Sequence, residues 1–212
     1  MFSVNIQGTW NVLIACAESG VPRLINFSSL QALGHWSPHH TALYLPMDEG
    51  IPKQPVTTYQ ISKHVVEEMC QAYASQHGLV IVNLRPTYVY QTDQDEHQRW
   101  NHLPEEILAQ SATKDFWSFV DVRDVCQAAL LSLTAPLTGH QAFLLTSDYT
   151  LARLPTLELV KKYYTRFHWP KVQPEDYVKD NPYRSLVDCS LAKKMLGWQP
   201  IYSQREEILG EV

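Results

Sequence analysis

Apolar residues crowd the first twenty positions: Val4, Trp10, Val12, Leu13, Ile14, Ala15 and Ala17 leave no broad polar face. The pattern predicts a mostly buried helix from Ser3 to about Ser19, with Ser3 as a candidate cap and Gly20 as its stop. Leu24 to Phe27 is a short apolar run followed at once by Ser28-Ser29, the pattern of a buried parallel strand that ends in a polar loop. Residues 30–55 carry Gly34, Pro38, Pro46, Gly50, Pro52 and Pro55 and read as loop, and a loop of that length is more often functional than idle. Thr57 or Thr58 can cap the next helix. Its stripe of Ile61, Val65, Val66, Met69, Cys70 and Tyr73 runs through Gln76, with Glu67 and Glu68 facing out. Gly78 stops it, and Leu79 to Leu84 reads as a second buried strand ending at Arg85-Pro86.

Helix, strand, loop, helix, strand, joined by short helix-to-strand turns, is the order of a doubly wound α/β sheet with parallel pairing. Gln91 to His102 is polar and acidic and reads as a surface loop. A short strand is expected at Phe116 to Val120, a helix from Val122 to Leu133 with Asp121, Arg123 and Asp124 at its start, and a strand at Ala142 to Leu145. Helical patterns follow at Leu154 to Phe167 and at Ser190 to Leu196, the latter stopped by Gly197. The expected class is therefore α/β: a partial doubly wound parallel sheet over residues 1–150 and a small C-terminal lobe over residues 151–212.

Composition narrows the function classes. The 212 residues are 45% hydrophobic and 18% charged, with a net charge of -5, an ordinary globular balance. A sequence pI of about 6.0 lacks the clustered cationic excess that duplex binding requires, so no nucleic-acid partner is expected. Cys16, Cys70, Cys126 and Cys189 stand far apart and read as buried thiols in a reducing compartment. With no basic leader and no run of 18 apolar residues, the expectation is a cytoplasmic protein without a membrane partner. Trp100, Trp117, Trp169 and Trp198 are scattered and read as core or interface aromatics.

In an open parallel sheet, ligands bind beyond the carboxyl ends of the strands. Two such ends carry distinctive residues, Ser28-Ser29 and Arg85-Pro86-Thr87, and between them lies Tyr59-Gln60-Ile61-Ser62-Lys63. Tyr59 and Lys63, four apart, share one helix face about 5–6 Å from each other at Cβ. A nearby cation favours the phenolate and brings a tyrosine toward useful acid/base strength, and a serine at a strand end can orient a substrate oxygen. With 11 tyrosines in the chain the spacing alone is weak, so its context has to decide. His35, His39 and His40 read as loop decoration, and Asp93, Asp95, Glu96, His97 and His102 as a solvated acidic loop, so no metal is expected.

The context is an ordered set of motifs. Asn5-Ile6-Gln7-Gly8-Thr9-Trp10-Asn11-Val12-Leu13, Gly20 to Ser29, Tyr59-x-x-x-Lys63, Leu84-Arg85-Pro86, Phe119 to Val125 and Leu196-Gly197-Trp198-Gln199-Pro200 follow one another at family spacing. Together, over about residues 3–200, they resemble the extended short-chain dehydrogenase/reductases, the NAD-dependent epimerase/dehydratases. The resemblance implies a Rossmann-like domain with NAD or NADP as cofactor. It makes Tyr59 the catalytic acid/base and Lys63 its activator, both also touching the cofactor, and Ser29 the hydroxyl that orients the carbonyl. Arg85, Pro86 and Thr87 would line the nicotinamide side, and Asn5 would bond backbone near the sheet. The implied substrate is a nucleotide sugar or another secondary alcohol or ketone, and a homodimer is the implied assembly.

The chain departs from this pattern in three ways. Its eight glycines, at 8, 20, 34, 50, 78, 139, 197 and 210, form no phosphate-cradling turn. Leu33 and Gln91 stand where the family has Tyr and Gly, and Lys171, Lys179 and Arg184 are only neighbours of the expected diphosphate-gripping position. The expectation is a chain that keeps the last strands of the sheet, exposes an unpaired edge at Leu24 to Phe27, and is a fragment of a larger gene product, a truncated gene model or half of a split assembly, with a complementing N-terminal half as an expected partner. The alternative is a non-catalytic Rossmann remnant acting as a binding or scaffold subunit.

Overall fold

A computed structural model describes residues 1–35, 42–91, 115–164 and 167–209. Three parallel strands, β1 (Arg23–Phe27), β2 (Val80–Pro86) and β5 (His140–Leu145), form one sheet in the order β1-β2-β5. Register places Leu24 opposite Ile81 and Asn83 opposite Ala142. A second, two-stranded parallel sheet pairs β3 (Tyr88–Tyr90) with β4 (Phe119–Asp121). The sequence pattern missed β3, because three residues directly after β2 are too few to show alternation.

Helix α1 (Gly8–Glu18) continues a π-helical turn at Ser3–Gln7, and no side chain caps either start. The Ser3 cap is thus corrected: Ser3 lies inside the wide turn. So is the burial, since only Ile6 and Leu13 are buried, whereas Val4 is 75% and Val12 47% exposed. One side of the helix packs on α2 (Thr58–His77), and the other flanks the free edge of β1, where no described residue covers it. For α2 the capping choice resolves to Thr57 and the stop to Gly78 at φ +70°.

Alternate residues of β2 serve the two sheet faces. Ile81 joins Ile6, Leu13, Val66, Cys70 and Ala74 beneath α2. Val82 and Leu84, with Phe143 and Leu145, pack on α3 (Val122–Thr134) and on α6 (Ser190–Leu196). The α2 side also carries a hydrogen-bonded polar row, Asn26 Nδ2 to Asn83 Oδ1 at 2.8 Å and Asn83 Nδ2 to His140 Nε2 at 2.7 Å. Polar groups are tolerated there because each finds a partner.

Between β5 and α6 lie α4 (Thr156–Tyr163), shorter than its pattern at both ends because Pro155 precedes it and Tyr164 is already extended, and α5 (Pro174–Tyr177). The last helix is α7 (Arg205–Leu209). Packing runs across residue 150: Leu33, Leu45, Met47, Phe116 and Trp117 share a core with Ala152, Leu159, Leu186 and Val187. Trp198 is fully buried beside β2 and β5, and its indole N–H donates to the Asp124 carbonyl at 2.9 Å. The Asp124 carboxylate accepts from Tyr202 N and Ser203 Oγ, so it clips the C-terminal segment to α3 in addition to standing in its first turn. Trp100 lies outside the described residues.

The four thiols are free, but they are not uniformly buried as expected. Cys70 and Cys189 are buried, Cys16 is half-buried and Cys126 is exposed. Among the described residues no helix is long and apolar enough to cross a membrane.

Candidate active site

The first turn of α2 is built by local chemistry. Thr57 Oγ1 accepts from Gln60 N at 3.2 Å, and Gln60 Oε1 accepts from Thr57 N at 3.1 Å and Val56 N at 3.0 Å, a reciprocal capping box. That fixes the turn bearing Tyr59, which is itself 36% exposed. Chain 54–55 reaches this turn by crossing Gly34, which has φ +73°, and a Cβ there would sit 2.2 Å from the Gln54 carbonyl carbon. Only glycine permits that approach.

The strand end is fixed to the same helix. Lys63 Nζ donates to the Phe27 carbonyl at 2.8 Å and lies 5.9 Å from the centre of the Tyr59 ring. Burial lowers the Lys63 pKa, while the Glu67 carboxylate opposes that by raising it. Ser29 is extended, and its Oγ accepts from Gln31 N at 3.1 Å to cap the short 3-10 turn Leu30–Leu33. Gln31 Oε1 in turn accepts from Gln60 Nε2 at 2.8 Å, and Gln31 Nε2 donates to Asp115 Oδ1 at 2.5 Å. The Ser29 turn is therefore bonded to the Tyr59 turn by one glutamine pair.

Two expectations change. Glu67 does not face out: it has no exposed surface and sits beneath α2, while Glu68 does face solvent. Its Oε1 accepts from Ser28 Oγ at 2.6 Å and Arg85 Nε at 2.8 Å, and its Oε2 accepts from Arg85 Nη2 at 2.7 Å. The Arg85 guanidinium beside it holds its carboxyl below the ordinary value against the opposing effect of burial. The signal for this lay in the sequence, since an arginine inside an apolar strand needs a buried acid. Asn5, expected to bond backbone, instead donates to Ser62 Oγ at 3.0 Å, and that hydroxyl donates to the Tyr59 carbonyl at 2.8 Å.

Arg85, Pro86 and Thr87 are all buried at the end of β2. The Arg85 side chain is committed to Glu67, and Thr87 bonds the Leu145 carbonyl through both its N–H and its hydroxyl. Leu33 is core, Lys171 pairs with Asp48, and Arg184 stacks on Tyr177. His35 is buried, whereas His39, His40, Asp93, Asp95, Glu96, His97 and His102 lie outside the described residues. Among the described residues no group of three or more His, Cys, Asp or Glu could hold a metal.

A groove of about 510 Å³ runs along the free edge of β1, with Lys63 on its wall beside Asn5, Phe27 and Val12. Lys63 is the one charged residue lining it, and neither Tyr59 nor Ser29 is part of its wall. The pyrophosphate of a dinucleotide finds no counterpart, because no described loop offers a run of glycine N–H groups.

Residues 1–145 match the NAD dependent epimerase/dehydratase family, well over half of the 212-residue chain. The chain belongs to this family. Among its relatives, the UDP-glucose 4-epimerase of Mycolicibacterium smegmatis is 26% identical over 219 aligned positions, covering 97% of this chain and 66% of that protein. A putative UDP-glucose 4-epimerase of Methanocaldococcus jannaschii is 29% identical over 142 positions, covering 61% of this chain and 44% of the relative. The solved UDP-glucose 4-epimerase of Brucella ovis in complex with NAD superposes with a TM-score of 0.65 at 22% identity, covering 98% of this chain and 69% of that one. That of Thermotoga maritima with UDP-glucose gives 0.64 at 21%, covering 98% and 68%. These structures share the family's α/β fold with its parallel sheet. The chain spans 44% to 66% of the length of the two curated relatives.

Proposed function

We propose that the chain supplies the proton-handling side of an NAD(P)-dependent epimerase, dehydratase or reductase, acting on a nucleotide sugar or another secondary alcohol or ketone. Tyr59, Lys63 and Ser29 are its acting residues. The supporting observation is the Lys63 ammonium bonded to the Phe27 carbonyl at 2.8 Å, two residues before Ser29 and one turn from Tyr59. NAD or NADP, when bound, supplies the hydride acceptor and donor. The Tyr59 phenol exchanges a proton with the substrate oxygen, and the neighbouring cation favours its phenolate. Ser29 accepts from Gln31 N, which leaves its own O–H to donate to the same substrate oxygen.

A complementing N-terminal segment, in the same gene product or a separate subunit, would bring the phosphate-binding turn to the free edge of β1. UDP-sugars are the first substrates to test, because the named relatives are UDP-glucose 4-epimerases. In the intact gene product Tyr59→Phe is expected to lower kcat by about 10²- to 10⁴-fold while leaving NAD(P) affinity within about threefold. Turnover retained within about fivefold would end the assignment.

One observation favours a second reading, a non-catalytic binding or scaffold subunit. Val4, Val12 and Phe27 keep 75%, 47% and 50% of their surface exposed along the groove, an apolar edge suited to a partner. Wild-type protein that pairs with a partner but neither binds NAD(P) nor turns over substrate would select this reading.

A further inference from the structure

Tyr59, Lys63 and Glu67 follow one another at four-residue steps along α2, from the exposed first turn to the buried interior. The last of them joins every segment that carries the site. Glu67 belongs to the helix of Tyr59 and Lys63. It holds Ser28, the residue before Ser29, and the Ser28 N–H, directly beyond β1, donates to the Leu84 carbonyl of β2 at 2.8 Å. It also grips Arg85 in a two-point ion pair two residues before Thr87.

We propose that Glu67 is a positioning residue of this site: its carboxylate locks the Ser28-Ser29 turn and β2 to α2 and keeps a negative charge one turn below the Lys63 ammonium. The inference rests on the roles given above to Tyr59, Lys63 and Ser29. A serine that must hold a substrate oxygen against a phenol needs a backbone that cannot drift, and a buried carboxylate with three bonds fixes it better than an exposed loop contact. Ser28 and Ser29 are chemically alike, and this lock separates them: Ser28 is 5% exposed and directed at Glu67, while Ser29 is turned to cap the next segment. The charge has a second effect. Lys63 faces Tyr59 and Glu67 on its own helix, and Arg85 from β2 and Lys53 from the preceding loop stand against Glu67. The groove residues beside it from the first helix and its leading turn, Val4, Asn5, Gly8, Thr9 and Val12, are uncharged. Glu67 is therefore the counter-charge that offsets the burial of the ammonium.

The test uses the full chain and needs neither cofactor nor turnover. Glu67→Gln/Arg85→Gln removes both charges and leaves no ion buried alone, and Ser28→Ala removes only the hydroxyl tie. Competitive labelling with acetic anhydride across pH, read lysine by lysine by mass spectrometry, gives the titration midpoint of each amine. In the double variant the Lys63 midpoint is expected to fall by about half a pH unit or more, roughly a threefold larger free-amine fraction below it, while Lys161 and Lys194 on other helices keep theirs. In Ser28→Ala the amides of residues 29–34 are expected to exchange hydrogen about tenfold faster, with those of α2 unchanged. A folded double variant with an unmoved Lys63, or Ser28→Ala with unmoved exchange at 29–34, overturns the proposal. If the double variant does not fold, Ser28→Ala decides alone. Failure of Tyr59→Phe to affect turnover would remove the catalytic assignment without altering either readout, so the two can fail separately.

Discussion

Replacing Gly34 by alanine perturbs the junction on which the site is built, and Gly78→Ala supplies its control. Both glycines have left-handed backbones, φ +73° and φ +70°, so each alanine incurs about 1–2 kcal/mol of backbone strain. Each also recovers roughly 0.4–1 kcal/mol from the less flexible unfolded chain. The two positions differ in space. At Gly78 a Cβ meets nothing within 4 Å, whereas at Gly34 it lies 2.2 Å from Gln54 C and Pro55 N, backbone atoms that cannot rotate away. Moving that segment adds an overpacking cost of about 1–3 kcal/mol, so Gly34→Ala is expected to be about 1–3 kcal/mol more destabilising than its control. Urea unfolding followed by circular dichroism measures the difference, which at about 2–3 kcal/mol per molar is a midpoint shift of roughly 0.3–1.5 M. Variants equal within about 0.5 kcal/mol would refute the claim that the approach of chain 54–55 is what Gly34 is for.

Trp198→Ala is expected to cost about 3–5 kcal/mol, because it empties a fully buried site between β2 and α6 and strips the Asp124 carbonyl of its donor. A loss below about 1.5 kcal/mol in the same urea assay would show that the C-terminal segment does not share the main core. Acid should weaken the fold through Glu67. Its folded pKa is depressed below 4.5, so its contribution is complete above that value and disappears as the pH falls through the folded pKa. Urea midpoints measured from about pH 6 to about pH 3 should fall more steeply in the wild type than in Glu67→Gln/Arg85→Gln, and parallel slopes would contradict this assignment.

Local signals determined much of this protein. Gly78 and Gly197, both left-handed, ended their helices where the pattern placed the stops, and Ser190–Leu196 formed within the predicted limits. These features depend on neighbours a few residues away, which a sequence displays directly. The apolar runs at Leu24 to Phe27 and Leu79 to Leu84 likewise became paired parallel strands, because an apolar run between polar turns has few ways to leave water. The ordered motifs carried the family, which the match over residues 1–145 bears out.

What periodicity misread was the direction of single side chains. Helical spacing placed Glu67 beside Glu68 on the wet face, yet only Glu68 is there, since the position of Glu67 is set by Arg85, eighteen residues away on β2. Similarly, a crowded apolar helix was read as buried, but burial is a property of what covers it, and one side of α1 has no described neighbour. The bonding of Ser29, Gln31, Gln60 and Lys63 around one corner was decided in the same way. A hydrogen bond spanning 29 or 36 residues in sequence leaves no trace in local periodicity, and only the packing of α2 across β1 and β2 brings those groups within reach.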